Sequence, residues 1–347
     1  MSSPATGSDR PADRSRDGHG PASAWIPDPA AAGGWLRERL DDGYATMHGV
    51  VPRGYPAYAR ILHPAVVRTL PDRPVPTAEE WDAMTEDERE RLVGLTEDRR
   101  ATWAETAAAF GTTVHALAQW QHLVRTPADG DWRTRHAPDG REFTAPAEGD
   151  LSPEDLAPVA AHLAAHTSTP EEGVAGVWAG YGGLLGAYGS NGRSFLAFSD
   201  DPAENAHAAM LAESTHDPFN NPFRKAQWRE GILSREISEG PRLELPGREY
   251  VLFTASPRSF SDPDWILDVP WRDRIAEAHG FPPSAHHPNL LWPADRAWVM
   301  VSEIDFDSTV VAGSPELIRA LCTDPAIEAL AIREGADLRW DADDVNR

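Results

Sequence analysis

The stretch Trp292-Pro-Ala-Asp-Arg-Ala-Trp-Val-Met-Val-Ser-Glu-Ile-Asp-Phe-Asp-Ser-Thr-Val-Val-Ala-Gly-Ser314 reads as one strand, a turn, a second strand and the cap of a helix. It spaces Glu303, Asp305 and Asp307 at a period of two. Alternate residues of a strand share a face, so three carboxylates line up in a row unless the strand ends or bulges there. Beyond Ser314, Pro315 occupies the first helical position, where its missing N–H costs nothing, and Glu316 complements the N-terminal end of the dipole. Leu317, Ile318, Leu321 and Cys322 then form an apolar face predicted to pack on a Trp298–Ile304 strand, with Cys322 a small buried hydrophobe rather than a nucleophile. Asp324-Pro325 predicts a second short helix carrying Ile327 and Leu330.

Working outward, Arg242 to Phe253 has a strand pattern with a turn at Pro246-Gly247. Val177 and Trp178 form a strand running into the tight turn of Gly180-Tyr-Gly-Gly183, which lacks the glycine spacing of a nucleotide cradle. Tyr58 to Leu62 is a strand ended by Pro64. Helices are signalled by Trp35 to Leu40 and by two capping boxes, Thr77-Ala-Glu-Glu80 and Thr85-Glu-Asp-Glu88, with Trp81 on the buried side. Thr102 to Val124 is helical and broken at Gly111. Its Gly111 to Trp120 portion imitates a helix-turn-helix but has no Lys/Arg recognition face. Asp131 to Asp150 is turn-rich. Ser152-Pro-Glu-Asp155 opens a helix that presents Leu156, Val159 and Leu163, with Pro158 kinking its first turn.

No fixed-period repeat emerges, and helices precede strands that are separated by long irregular segments. The expectation is an α+β fold: one integrated domain over 23–335 with an antiparallel or mixed sheet and an elaboration at about 190–240. A disordered arm is expected at 1–22 and a C-terminal tail at 336–347.

Acidic residues outnumber basic ones 55 to 32 in the 347-residue chain, for a net charge of −23, which disfavours nucleic acid as a partner. The single cysteine excludes an intrachain disulfide and a cysteine-rich metal site. No apolar leader is present, and no apolar run approaches the ~18 residues of a membrane span, so cytoplasmic location and no membrane partner are expected.

Three constellations bear on function. Asp305-Phe-Asp-Ser-Thr309 resembles the Asp-x-Asp-x-Thr opening of haloacid-dehalogenase-like phosphohydrolases. That resemblance implies Asp305 as nucleophile and Asp307 as general acid/base beside magnesium, yet the chain ends at Arg347, too soon for the rest of such a domain. His162 and His166 stand one helical turn apart, as a metal pair requires, but the glutamate of the zincin motif is missing, and His63, His286 and His287 are distant in sequence. No metal or cofactor is predicted. The third constellation is a ligand-binding face of aromatic and charged residues: Arg60, Trp178, Tyr181, Arg248, Arg296 and Glu303, with Trp292 and Asp295 beside them. Arg and Trp are the composition of recognition hot spots, although most of the 13 tryptophans are expected in the core.

Tyr58-Ala-Arg-Ile-Leu-His-Pro64, Val177-Trp-Ala-Gly-Tyr-Gly182, Leu245 to Phe253 and Pro288 to Trp298, closing with Glu303-Ile-Asp305, resemble a group of uncharacterised actinobacterial proteins over about residues 35 to 330. The resemblance implies one integrated domain and no particular activity. The closing strands and helix also resemble, more weakly, interaction folds of the SMI1/KNR4 kind. The functional expectation is non-catalytic recognition of a protein partner or small molecule, the alternative being a metal-dependent phosphoester hydrolase using Asp305 and Asp307.

Overall fold

The computed structural model describes residues 23–43, 46–189 and 226–347. The arm expected at 1–22 and most of the elaboration at 190–240 lie outside the described residues. The fold is α+β, and every strand pairing among the described residues is antiparallel.

A small sheet of four strands has the order β3-β2-β5-β4. Its members are β2 (Ala65–Thr69), β3 (Glu97–Ala101), β4 (Thr134–His136) and β5 (Glu142–Thr144). The turn-rich 131–150 stretch therefore holds a short hairpin. The main sheet of eight runs β14-β1-β13-β12-β11-β6-β10-β9. It comprises β1 (Ala57–Leu62), β6 (Gly173–Trp178), β9 (Leu243–Leu245), β10 (Arg248–Ala255), β11 (Leu290–Pro293), β12 (Val299–Val301), β13 (Ser308–Gly313) and β14 (Ala329–Ile332). β7 (Ala187–Tyr188) and β8 (Trp228–Arg229) pair separately.

Both faces of the main sheet are covered, which is why β13 is buried along its whole length and runs Val310-Val-Ala-Gly313 without alternation after Ser308 and Thr309. One face carries Ile61, Val177, Phe253, Met300 and Val311 against helices Pro153–Ala165 and Pro315–Thr323. The indole of Trp298 crosses that layer and donates to the Leu163 carbonyl at 2.8 Å. The other face carries Tyr58, Tyr250, Leu252, Val301 and Val310 beneath helix Pro29–Arg37.

Both predicted capping boxes form, Thr77 with Glu80 and Thr85 with Glu88. The helix break falls at Gly111, a left-handed C-cap at φ 64°. Four local expectations are corrected. The 324–330 segment is not a second helix, because Ala329–Ile332 pairs with β1 and its backbone groups go to the sheet instead. Helix Ala78–Ala83 buries no residue, so Trp81 is only half-buried. The Trp298–Ile304 strand stops at Val301. The 336–347 segment folds back rather than trailing: the fully buried Asp343 carboxylate accepts from His115 at 2.8 Å and from the Gln119 and Asn346 N–H groups. Burial alone raises that carboxyl, but the hydrogen bonds from Asn346, His115 and Gln119 outweigh it and hold it at about 2. Among the described residues no helix is long and apolar enough to cross a membrane.

Candidate functional site

Because β12 ends at Val301, Glu303, Asp305 and Asp307 sit on the turn into β13 and do not line a strand face. Two arginines from the main sheet take hold of them. Arg60 lies opposite Val310 in the β1–β13 register, on the face shared with Tyr58. Its guanidinium is buried and held by four oxygens: Ser308 Oγ at 2.8 Å, the Ala118 carbonyl at 2.7 Å, Asp307 Oδ1 at 2.9 Å and, at 3.5 Å, the Ala116 carbonyl. It also lies over the ring of Trp103, 5.4 Å from the centroid. Arg248 opens β10 just after the Pro246-Gly247 turn and grips Glu303 Oε1 through Nε at 3.0 Å and Nη2 at 2.7 Å. Its Nη2 also reaches Asp305 Oδ2 at 2.6 Å.

Four of the six expected ligand-binding residues therefore meet. Arg248 lies over Trp178 at 5.6 Å, Trp178 meets Tyr181 edge-on at 5.2 Å, and Glu303 bonds Arg248. Tyr181 stacks on His286 at 3.9 Å and accepts from Asn289 Nδ2 at 3.0 Å, while burial pushes its hydroxyl up to about 12. Arg60 joins this group only through the 303–307 turn. Arg296 is apart from it, stacked over Trp35 at 4.7 Å with a left-handed φ of 53°. Trp292 is a core side chain meeting Trp35 edge-on, and Asp295 ties its turn to Thr167 and Ser168.

Beside the 303–307 turn lies a cleft of about 570 Å³, lined also by residues of the 119–132 segment and by the C-terminal 338–340 segment. Arg60 is on its lining, with Trp120 buried, Trp132 half-buried and Trp340 73% exposed at the rim. Glu148, Asp305 and Asp307 contribute its carboxylates. Desolvation raises the Glu148 carboxyl, and the like charges of Asp307 and Asp305 raise it further. Gly149 permits the approach: at φ 67° its backbone passes so close to Ile304 that an added Cβ would lie 2.5 Å from the Ile304 Cα. Its N–H donates to the Phe306 carbonyl at 2.7 Å. Trp120, Trp132, Glu148 and Trp340 were not among the expected site residues. They come from scattered positions, and only Trp340, isolated in the polar Asp-Leu-Arg-Trp-Asp run, carries a local signal.

Behind the turn, a chain of side chains crosses the sheet interior. His63 Nδ1 lies 2.6 Å from the Ala147 carbonyl, and its Nε2 lies 2.9 Å from Thr309 Oγ1. Thr309 and Ser302 hydroxyls are 2.6 Å apart, and Ser302 Oγ is 2.8 Å from His287 Nε2. Burial depresses His63 to about 4 and, with the neighbouring His63 second, His287 to about 3, so both are neutral. A carbonyl only accepts, so His63 donates from Nδ1 and accepts at Nε2 from Thr309. Thr309 then accepts from Ser302, and Ser302 from His287 Nε2–H. Ser302 points its proton away from His287, and neither residue reaches solvent, so the pair is not a nucleophile and base.

The remaining candidates have structural partners. His162 bonds Asp324 at 2.8 Å, while His166 bonds the His162 carbonyl, so the two imidazoles do not converge. Cys322 is half-buried at the edge of the core, and burial raises its thiol. Among the described residues, no group of three or more His, Cys, Asp or Glu side chains is arranged to hold a metal ion. No protein-family model matches the chain, and no curated protein or solved structure matches it.

Proposed function

We propose that this protein is a non-catalytic recognition protein of the cytoplasm that binds a protein partner or a small molecule, with the tryptophan-walled cleft beside the 303–307 turn as its binding site. The observation that carries this reading is the division of the acidic run between two arginines. Asp307 is held by Arg60 and Asp305 by Arg248, and among the described residues the acidic groups are not arranged to hold the metal ion that a phosphoryl transfer of this kind uses. Each guanidinium takes one oxygen of its aspartate, and the positive charge beside the carboxylate lowers the nucleophilicity of the whole group. What remains is a concave surface of several hundred Å³ that combines tryptophan side chains with charged and polar groups able to orient a ligand.

The test is purification of the full chain from its native host, with the bound fraction read by mass spectrometry for proteins and small molecules. A species retained by the wild type and lost from the Trp340→Ala variant is the expected result. Magnesium-dependent turnover of p-nitrophenyl phosphate that disappears in Asp305→Asn would overturn the reading in favour of the hydrolase.

A further inference from the structure

The charges around the cleft are not balanced. Its two arginines are both engaged: Arg60 on Asp307, Ser308 and the Ala118 carbonyl, and Arg339 on Asp337, 2.7 Å away. Arg133, close by, stacks over Trp132 at 4.5 Å and has Asp131 3.8 Å away. Glu148 has neither an ion pair nor a hydrogen bond among the described residues, and it stands near the carboxylates of Asp305 and Asp307. Arg133 offsets Glu148 in part, but the carboxylates of the lining outnumber its arginines three to two, and the same lining carries three tryptophans.

A negatively charged aromatic cleft is selective in a definite way. An anion is repelled by Glu148, and the two arginines of the lining are already bonded to carboxylates. A neutral apolar body gains burial alone. A cation gains the carboxylate field and the negative face of an indole together, and both strengthen as water is excluded. Two buried polar atoms of the lining residues, His122 Nδ1 and Thr126 Oγ1, also lack hydrogen-bond partners among the described residues, as in a site completed by a ligand or ordered water. The exposure of Trp340 at the rim leaves a large apolar surface for such a ligand to cover.

We infer that the cleft formed by Trp120, Trp132, Trp340, Glu148 and the 305–307 turn binds a small organic cation, an ammonium or guanidinium carried on an aromatic or aliphatic body. The inference rests on the reading of this cleft as the recognition site and names its ligand class. Glu148 takes the cationic head, and the indoles of Trp132 and Trp340 take the body.

The probes are 4-phenylbutylammonium, the neutral 4-phenylbutanol and the anionic 4-phenylbutyrate, titrated into the full chain by calorimetry at low and high salt. The ammonium should bind about tenfold more tightly than the alcohol and the carboxylate least, with the preference shrinking as salt screens it. Glu148→Gln, an exposed change that leaves the fold intact, should abolish the preference without altering alcohol binding, and Trp340→Ala should weaken both. Equal binding of ammonium and alcohol, or an undiminished preference in Glu148→Gln, overturns the cation assignment and leaves the cleft as a recognition site. Absence of binding by all three probes, together with retention of the native partner by Trp340→Ala, overturns both.

Discussion

Arg60 Nη2 lies 2.9 Å from Asp307 Oδ1, with the two side chains 2% and 19% exposed, and this pair fastens the acidic turn to β1 of the main sheet. Removing one member of a buried pair leaves the other charge desolvated and uncompensated, whereas an exposed pair is worth little. Asp307→Ala should therefore cost about 3 kcal/mol in urea unfolding. Asp305, whose side chain is 65% exposed on Arg248, should lose no more than about 1 kcal/mol on the same change. Equal losses at the two positions would refute the distinction.

Acid should destabilise the protein through the buried histidines. His63 and His287 sit at about 4 and about 3 in the fold, below the ordinary value of 6.5 that each regains on unfolding. Between those values the unfolded chain binds protons that the folded chain refuses, so stability is complete above pH ~6.5 and falls as the pH drops towards 4. The loss should reach several kcal/mol, since each histidine contributes on the order of 1.4 kcal/mol for every pH unit that separates its folded from its unfolded value. Urea midpoints measured from pH 8 to pH 4 on the wild type and on the double change His63→Gln, His287→Gln should show a flatter slope in the variant.

Gly149→Ala should lower stability by more than about 1 kcal/mol, because the added methyl group meets backbone at a positive φ and neither can yield cheaply. The displacement falls on Ile304, within the turn that bears Asp305 and Asp307. Circular dichroism melting with calorimetry of the cation probe should show both stability and probe binding reduced. A variant with wild-type melting would show that the 149–304 approach is loose.

Leu321 is fully buried between the Pro315–Thr323 helix and the sheet, so Leu321→Ala should cost ~2–5 kcal/mol. Its neighbour Cys322 is half-buried with a raised thiol, so a disulfide-exchange reagent should label it slowly in the folded protein and fast in denaturant. Labelling at the same rate in both states would place this face in solvent.

Elements defined by neighbours in sequence were legible in the sequence. Thr77 and Thr85 cap their own helices through glutamates three residues on, Gly111 ends a helix by its own φ, and Ser314-Pro315 opens the last helix, so a few adjacent residues suffice to specify each. Where a segment's conformation depended on a distant partner, local reading failed. Ala329–Ile332 is a strand because β1, about 270 residues earlier, offers its free edge, and pairing outweighs weak helical preference in so short a segment. The candidate site divides in the same way. Residue types named Arg60, Trp178, Tyr181, Arg248 and Glu303 as polar and aromatic groups close to strands, but nothing in their spacing sets Arg248 on Glu303 rather than on another acid.

The sequence by itself determined the α+β class, the helix starts at Thr77, Thr85, Ser152 and Ser314 and the apolar runs of the core strands, because each follows from periodicity and from backbone groups that must be satisfied close by. Only the tertiary structure decided that Glu303, Asp305 and Asp307 lie on a turn, that two arginines from different strands divide them, and that Glu148 and three tryptophans line one cleft. The physical reason is that ion pairing and cavity shape depend on distances of a few ångströms between side chains far apart in the chain. Those distances are set by strand register and by close approaches such as Gly149 to Ile304, and no local pattern of residues encodes them.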